Sequence, residues 1–201
     1  LLLSDTCQDV KVLAVTSAVP REGKTSVAAQ LALSFARATG EPTLLVDGDM
    51  RSPDLHHLFR VHLEPGLAQV LAGECSPEDA IVTIRDEQVG LLTAGRLGAS
   101  PHRLLGTGNL PSLLAQLANR YCHIVMDTPP LLVASEALVM AKASDVCVLC
   151  VMRDMSRVSQ VLRAGEMLAS AGVRLAGVVL NGVSGRYYAY HYGSYPYVFH
   201  P

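Results

Sequence analysis

The stretch Val12-Leu-Ala-Val-Thr-Ser-Ala-Val-Pro-Arg-Glu-Gly-Lys-Thr-Ser26 limits what this chain can fold into more than any other. Its apolar, β-branched start predicts a strand, Pro20 and Gly23 break that run into a short loop, and Ser26 to about Thr39 reads as a helix. Strand, loop with Gly-Lys-Thr and helix is the context in which a loop cradles phosphate. The N–H groups of the loop and of the helix N-terminus face the anion, Lys24 reaches the β and γ oxygens, and Thr25 offers its hydroxyl to Mg²⁺. Pro20, Arg21, Glu22, Gly23, Lys24, Thr25 and Ser26 are therefore the candidate nucleotide-binding residues, with ATP and Mg²⁺ as the expected ligands. Ala18 stands where the general motif opens on glycine, and Pro20-Arg21 stiffens the loop. A chance Gly-Lys-Thr in a turn is the competing explanation, and the flanking strand and helix weigh against it.

Six apolar runs alternate with helical patterns: Val10 to Thr16, Thr43 to Val46, Gly90 to Thr93, Ile124 to Met126, Val146 to Met152 and Leu175 to Leu180. Strands without a polar face, separated by amphipathic segments, predict an α/β fold with a parallel sheet flanked by helices. The helical candidates are Ser26–Thr39, Asp54–Phe59, Leu67–Ala72, His102–Asn119, Ser135–Ala143 and Ser156–Ala171, and Gly40, Gly73 and Gly172 sit where helix ends favour positive φ. With 201 residues, half of them hydrophobic, the chain can bury one α/β core, expected over residues 1–183. Its formal charge of −2 gives no basic field for nucleic acid or anionic lipid. No apolar run reaches membrane-spanning length, so the chain reads as soluble. Five scattered cysteines point to reduced thiols in cytosol; Cys147 and Cys150, three apart on a strand, are expected on opposite faces rather than as a metal or redox pair.

Ligands of such sheets lie beyond the C-terminal strand ends, and three carboxylates emerge there. Leu44-Leu-Val-Asp-Gly-Asp-Met-Arg-Ser-Pro53 ends the second run with Asp47 and Asp49, and Ile124-Val-Met-Asp-Thr-Pro-Pro130 ends the fourth with Asp127. An Asp closing a strand near a phosphate loop holds Mg²⁺ or takes a proton from an attacking hydroxyl. Each alone is as readily a turn-former or cap; together with Gly-Lys-Thr they read as one site with Lys24, Asp47, Asp49 and Asp127 as its catalytic residues.

After Leu180 the composition changes. Residues 184–201 form an expected flexible tail holding six of the seven tyrosines, Tyr187, Tyr188, Tyr190, Tyr192, Tyr195 and Tyr197, among Gly, Ser and Pro. A self-association tail or a strand pairing with a neighbour would also use such residues; beside phosphoryl-transfer machinery they form an obvious set of acceptors.

With these features in hand, the chain resembles the cytoplasmic kinase domain of bacterial tyrosine kinases, the autokinases that accompany capsule and exopolysaccharide synthesis. Pro-Arg-Glu-Gly-Lys-Thr-Ser resembles the family's Walker A motif, Leu-Leu-Val-Asp-Gly-Asp-Met-Arg-Ser-Pro with His56 its A′ motif, and Ile-Val-Met-Asp-Thr-Pro-Pro its Walker B; Glu64 to Gly73, Val178 to Asn181 and the tail also follow its pattern. The resemblance implies the P-loop NTPase fold of the MinD/ParA type and an ATP-dependent protein-tyrosine kinase acting on its own tail in trans and on other proteins. It implies Lys24 on the phosphates, Asp47 as base, and Thr25, Asp49 and Asp127 at the metal. Asn181 resembles an adenine-reading residue or is a strand-end turn; Arg153 contacts nucleotide or a subunit interface, or is a surface charge. Arg51 steadies phosphate or acceptor, or pairs with Asp54.

The implied partners are further copies of the chain, a membrane polysaccharide co-polymerase or fused transmembrane activator, and a cognate phosphatase. The implied location is the inner face of the plasma membrane. A family helix with Glu-x-x-Arg-x-x-Arg has no counterpart before the first strand, which puts ring assembly by this chain in doubt and points to a piece of a longer protein. The alternative is an ATP-switched MinD/ParA-like binding module, against which Val19 stands where those ATPases carry their signature lysine. A regulatory domain that binds nucleotide without chemistry is a third reading.

Overall fold

The computed structural model describes residues 10–84, 89–106 and 108–183. Seven strands form one sheet: β1 (Val12–Ser17), β2 (Thr43–Asp47), β3 (Ile81–Ile84), β4 (Val89–Leu92), β5 (His123–Asp127), β6 (Val146–Met152) and β7 (Leu175–Asn181). Their order across the sheet is β3-β4-β2-β5-β1-β6-β7, parallel throughout except that β3 runs antiparallel to β4 at one edge. Ile81-Val-Thr-Ile84 is the strand that apolar runs alone do not reveal, because only Ile84 is buried.

The three central strands are apolar on both faces because helices cover both. On one face α1 (Lys24–Thr39) and α2 (Leu55–Phe59) pack over Leu13, Val15, Leu45, Val125 and Val148. Ala28, Ala29, Ala32 and Ala36 line the contact of α1, and such small side chains let the helix lie close to the strands. On the other face α3 (Leu67–Ala72) and α6 (Asn109–Leu117) cover Leu44, Val46, Ile124 and Met126, while α7 (Glu136–Lys142) and α8 (Val158–Ser170) cover Ala14, Cys147 and Leu149. Two short helices, α4 (Pro77–Ala80) and α5 (Pro101–Leu105), complete the set among the described residues.

The single helix expected over His102–Asn119 is two, α5 and α6, because the chain turns at Gly106 and at Gly108 with φ 74°. Gly40, Gly73 and Gly172 adopt left-handed φ of 72°, 73° and 73° where helices end, as expected. Cys147 and Cys150 lie in the cores of opposite faces, and burial pushes both thiols up to about 12. The tail tyrosines Tyr187, Tyr188, Tyr190, Tyr192, Tyr195 and Tyr197 lie outside the described residues.

Candidate active site

The loop from Ala18 to Gly23 leaves β1 and enters α1 at Lys24, the helix's first residue. Two of its residues adopt left-handed backbone, Arg21 at φ 69° and Gly23 at φ 83°. Gly23 has a second constraint: a Cβ there would stand 2.6 Å from the Asn181 side-chain nitrogen. Successive N–H groups in such a loop, continued by the helix N-terminus, form a concavity for anions.

Facing the loop are the tips of β2 and β5, with Asp47 paired in register with Asp127. Gly48 passes between them, its N–H bonded to the Asp127 carbonyl at 2.7 Å, and a Cβ there would meet that oxygen and the Met140 sulfur, each at 2.8 Å. Asp47 is fully buried and accepts from the N–H groups of Leu55 at 3.1 Å and Asp49 at 3.2 Å. Asp127 is also fully buried, and neither carboxylate oxygen has a hydrogen bond. Lys24 reaches into this group, its Nζ 2.9 Å from Asp49 Oδ2, 3.6 Å from Asp127 Oδ1 and 3.4 Å from the Thr25 hydroxyl.

Burial and the neighbouring charges set the protonation of this cluster. Asp47 is raised to about 7 by desolvation and by the facing Asp127, against which the Leu55 N–H and Lys24 work. Desolvation raises Asp127 to about 6, with Lys24 opposing. Burial disfavours the Lys24 charge, but Asp127 and Asp49 outweigh it and hold its ammonium above the ordinary value. Among the described residues no group of three or more His, Cys, Asp and Glu is arranged as a metal cage.

A cleft of about 450 Å³ opens over this chemistry, lined by Pro20, Arg21, Gly23, Lys24, Thr25, Ser26, Asp49, Arg51 and Asp54 on one side and Pro129, Pro130, Val133 and Ala134 on the other. Asp47, Asp127 and Glu22 are fully buried and do not line the cleft; Asp127 reaches it through Lys24. Asn181 and Arg153 are not among the residues lining the cleft. The Asn181 amide donates to the Glu22 carbonyl at 2.8 Å, and Arg153 Nε lies 3.2 Å from Asp154.

Arg51 pairs through Nε with buried Glu136, across the cleft from the loop, rather than with Asp54. The second Glu136 oxygen has no hydrogen bond and lies 3.9 Å from His102 Nε2, which contacts Ser135 Oγ at 2.5 Å. Glu136, His102 and Ser156, which donates to Glu22, carry no motif of their own in sequence; only the Thr-Pro-Pro turn preceding Glu136 hinted that its segment approaches the site.

Comparison with known proteins agrees with this geometry. The CobQ/CobB/MinD/ParA nucleotide binding domain family matches residues 13–193. The chain is 32% identical over 175 residues to the tyrosine-protein kinase YwqD of Bacillus subtilis, an alignment covering 87% of this chain and 73% of that protein. The kinase domain of the Escherichia coli tyrosine kinase ETK superposes with a TM-score of 0.84 at 30% identity, over 89% of this chain and 70% of that one. The septum site-determining protein MinD of Pyrococcus horikoshii, complexed with Mg-ADP, superposes with a TM-score of 0.73 at 26% identity, over 88% and 72% of the two chains.

Proposed function

Because the chain belongs to the bacterial tyrosine-protein kinases, on the nucleotide-binding fold shared with MinD and ParA, we propose that it transfers the γ-phosphoryl group of ATP to the tyrosines of its own tail, between copies, and to other proteins. The observation that carries this reading is the convergence of one lysine and three acids, from a phosphate loop and two strand tips, on one cleft. Lys24 exchanges its two carboxylate partners for β and γ oxygens, and the loop N–H groups of residues 21–26 hold the phosphates.

Asp49, Asp127 and the Thr25 hydroxyl are then the donors for Mg²⁺. They fit that ion: oxygen donors suit a hard cation, the Asp127 oxygens are buried and carry no hydrogen bond, and Mg²⁺ keeps waters and phosphates in its shell, so no complete protein cage is required. Held by those groups, the ion would offset the negative charge of the phosphates. Asp47 is the base. A phenol with a pKa of about 10 is a poor nucleophile at neutral pH, and a carboxyl raised to about 7 is matched to taking its proton as the bond forms. The phenolic oxygen bonds to the γ phosphorus, the bond from that phosphorus to the β-phosphate oxygen breaks, the proton passes to Asp47, and ADP leaves. Pro129, Pro130 and Val133 form an apolar wall suited to the phenol ring. Arg153 and Asn181 are assigned to the base end of the nucleotide.

In this reading residues 1–183 are the catalytic unit and 184–201 the substrate segment. The enzyme acts in exopolysaccharide synthesis at the inner face of the membrane, with a co-polymerase or fused activator and a cognate phosphatase. No helix among the described residues is long and apolar enough to cross a membrane. Incubation of the assembled protein with Mg-ATP should place phosphate on Tyr187 to Tyr197, read by mass spectrometry. Nucleotide-dependent dimerisation with rapid hydrolysis and an unmodified tail would instead make it a MinD-like switch.

A further inference from the structure

We propose that Glu22 is a positioning residue for the phosphate loop, a brace that fastens the loop to the turn after β6 and to the end of β7. The proposal rests on the reading that the cleft holds a nucleoside triphosphate. Glu22 sits in a surface loop between two left-handed residues, Arg21 and Gly23, yet it is fully buried. Backbone held in sparsely populated conformations persists only where its surroundings over-determine it, and the Glu22 contacts supply that constraint.

Three links meet at this residue. Its Oε2 accepts from the Val19 N–H at 2.8 Å, which closes the loop on itself. Its Oε1 accepts from the Ser156 hydroxyl, whose oxygen in turn accepts from the Met152 N–H at 2.7 Å, so the loop is tied to the end of β6. Its main-chain oxygen accepts from the Asn181 amide at 2.8 Å, and the Asn181 carbonyl accepts from the Arg153 N–H at 2.9 Å, which joins the end of β7 to the same brace. Neither Glu22 nor its partner Ser156 is among the residues lining the cleft. The carboxylate therefore does not touch phosphate; it keeps the loop N–H groups from relaxing away from where phosphate binds. Without it the Val19 N–H and the Ser156 hydroxyl lose a buried acceptor, and the loop must rearrange to satisfy them.

The test is calorimetric titration of the full chain with Mg-ADP. Losing both accepting oxygens in Glu22→Ala is expected to raise Kd at least about tenfold. Glu22→Gln keeps an accepting carbonyl for the Val19 N–H but reverses the second contact, its amino group donating to a Ser156 oxygen whose hydroxyl must turn elsewhere, and should hold Kd to within about threefold of the unaltered protein, well below the Ala variant. With Mg-ATP the Ala variant should raise KM in parallel with Kd while kcat at saturation stays within about threefold, because the loop holds the phosphates alike before and during transfer. An unchanged Kd in Glu22→Ala, or a Gln variant no better than Ala, overturns the proposal. Should Glu22→Ala fail to fold, Ser156→Ala, which removes one hydroxyl, takes its place: a raised Kd supports the brace and an unchanged one ends it. Failure of the unaltered protein to bind Mg-ADP would strike the nucleotide reading itself.

Discussion

The strand tips of β2 and β5 and the outer strand β7 are written in nearly the same alphabet and have opposite fates. Leu44, Leu45 and Val46 of β2 and Ile124, Val125 and Met126 of β5 are at most 1% exposed, whereas Leu175, Val178 and Leu180 of β7 are 41%, 53% and 55% exposed. The difference is positional. A central strand has neighbours on both sides and helices on both faces; among the described residues β7 has only β6 as neighbour. Burial at the centre does more than stabilise, because it also makes the carboxylates at those tips reluctant to ionise and raises Asp47 to about 7. The acids and the core share one region, and along the edge strand Asn181 at its end is tied to the phosphate loop.

That contrast can be broken most directly at its chemical end. Lys24→Met should lower phosphotyrosine formation by about 10³-fold, measured with radiolabelled ATP and tail peptide mapping, since it removes a cation that contacts both Asp49 and Asp127. Near-normal labelling would mean that the central cluster is not the site. Next in size is the core beneath it: Met126→Ala, between β1 and β2, should cost about 3 kcal/mol in urea unfolding.

A smaller effect separates burial from charge. In the folded chain Asp47 stands near 7 against 3.8 as its ordinary value. Between these values the folded chain binds more protons than the unfolded one, so this contribution to stability is full at low pH and is lost as pH rises through 7. Asp127, raised to about 6, acts in the same sense, while the lowered His56 acts against it below its ordinary 6.5. Asp47→Asn should therefore flatten the pH dependence of unfolding between pH 5 and 8 by on the order of 2 kcal/mol. An unaltered slope would place the titration elsewhere. The smallest change belongs to the edge: Val178→Thr should move stability by no more than about 0.5 kcal/mol. A cost near that of Met126→Ala would erase the distinction between the regions.

Sequence made much of this legible because the decisive signals are local. Gly-Lys-Thr after an apolar run, and Asp at the ends of two others, each announce themselves within ten residues, and their convergence follows from the parallel sheet. The division of Cys147 and Cys150 between faces follows from strand alternation alone. What escaped was long-range or ambiguous in pattern. Arg51 is near Asp54 in sequence but pairs with Glu136, 85 residues away. Ser156 meets Glu22 across 134 residues with no pattern to mark either. The break between α5 and α6 hid in a continuous leucine-rich pattern, since a glycine inside such a run signals either a tolerated residue or a stop.

The ion pair between Lys24 and the acids of the cleft carries a consequence for the order of ligand arrival. A site whose negative groups hold an internal cation offers little attraction to bare divalent ions from solution. Metal and nucleotide should enter together, the triphosphate drawing the ammonium away in the same event that delivers its own counter-charge. Magnesium alone should then leave the melting temperature of the nucleotide-free protein unmoved, and the pair should raise it.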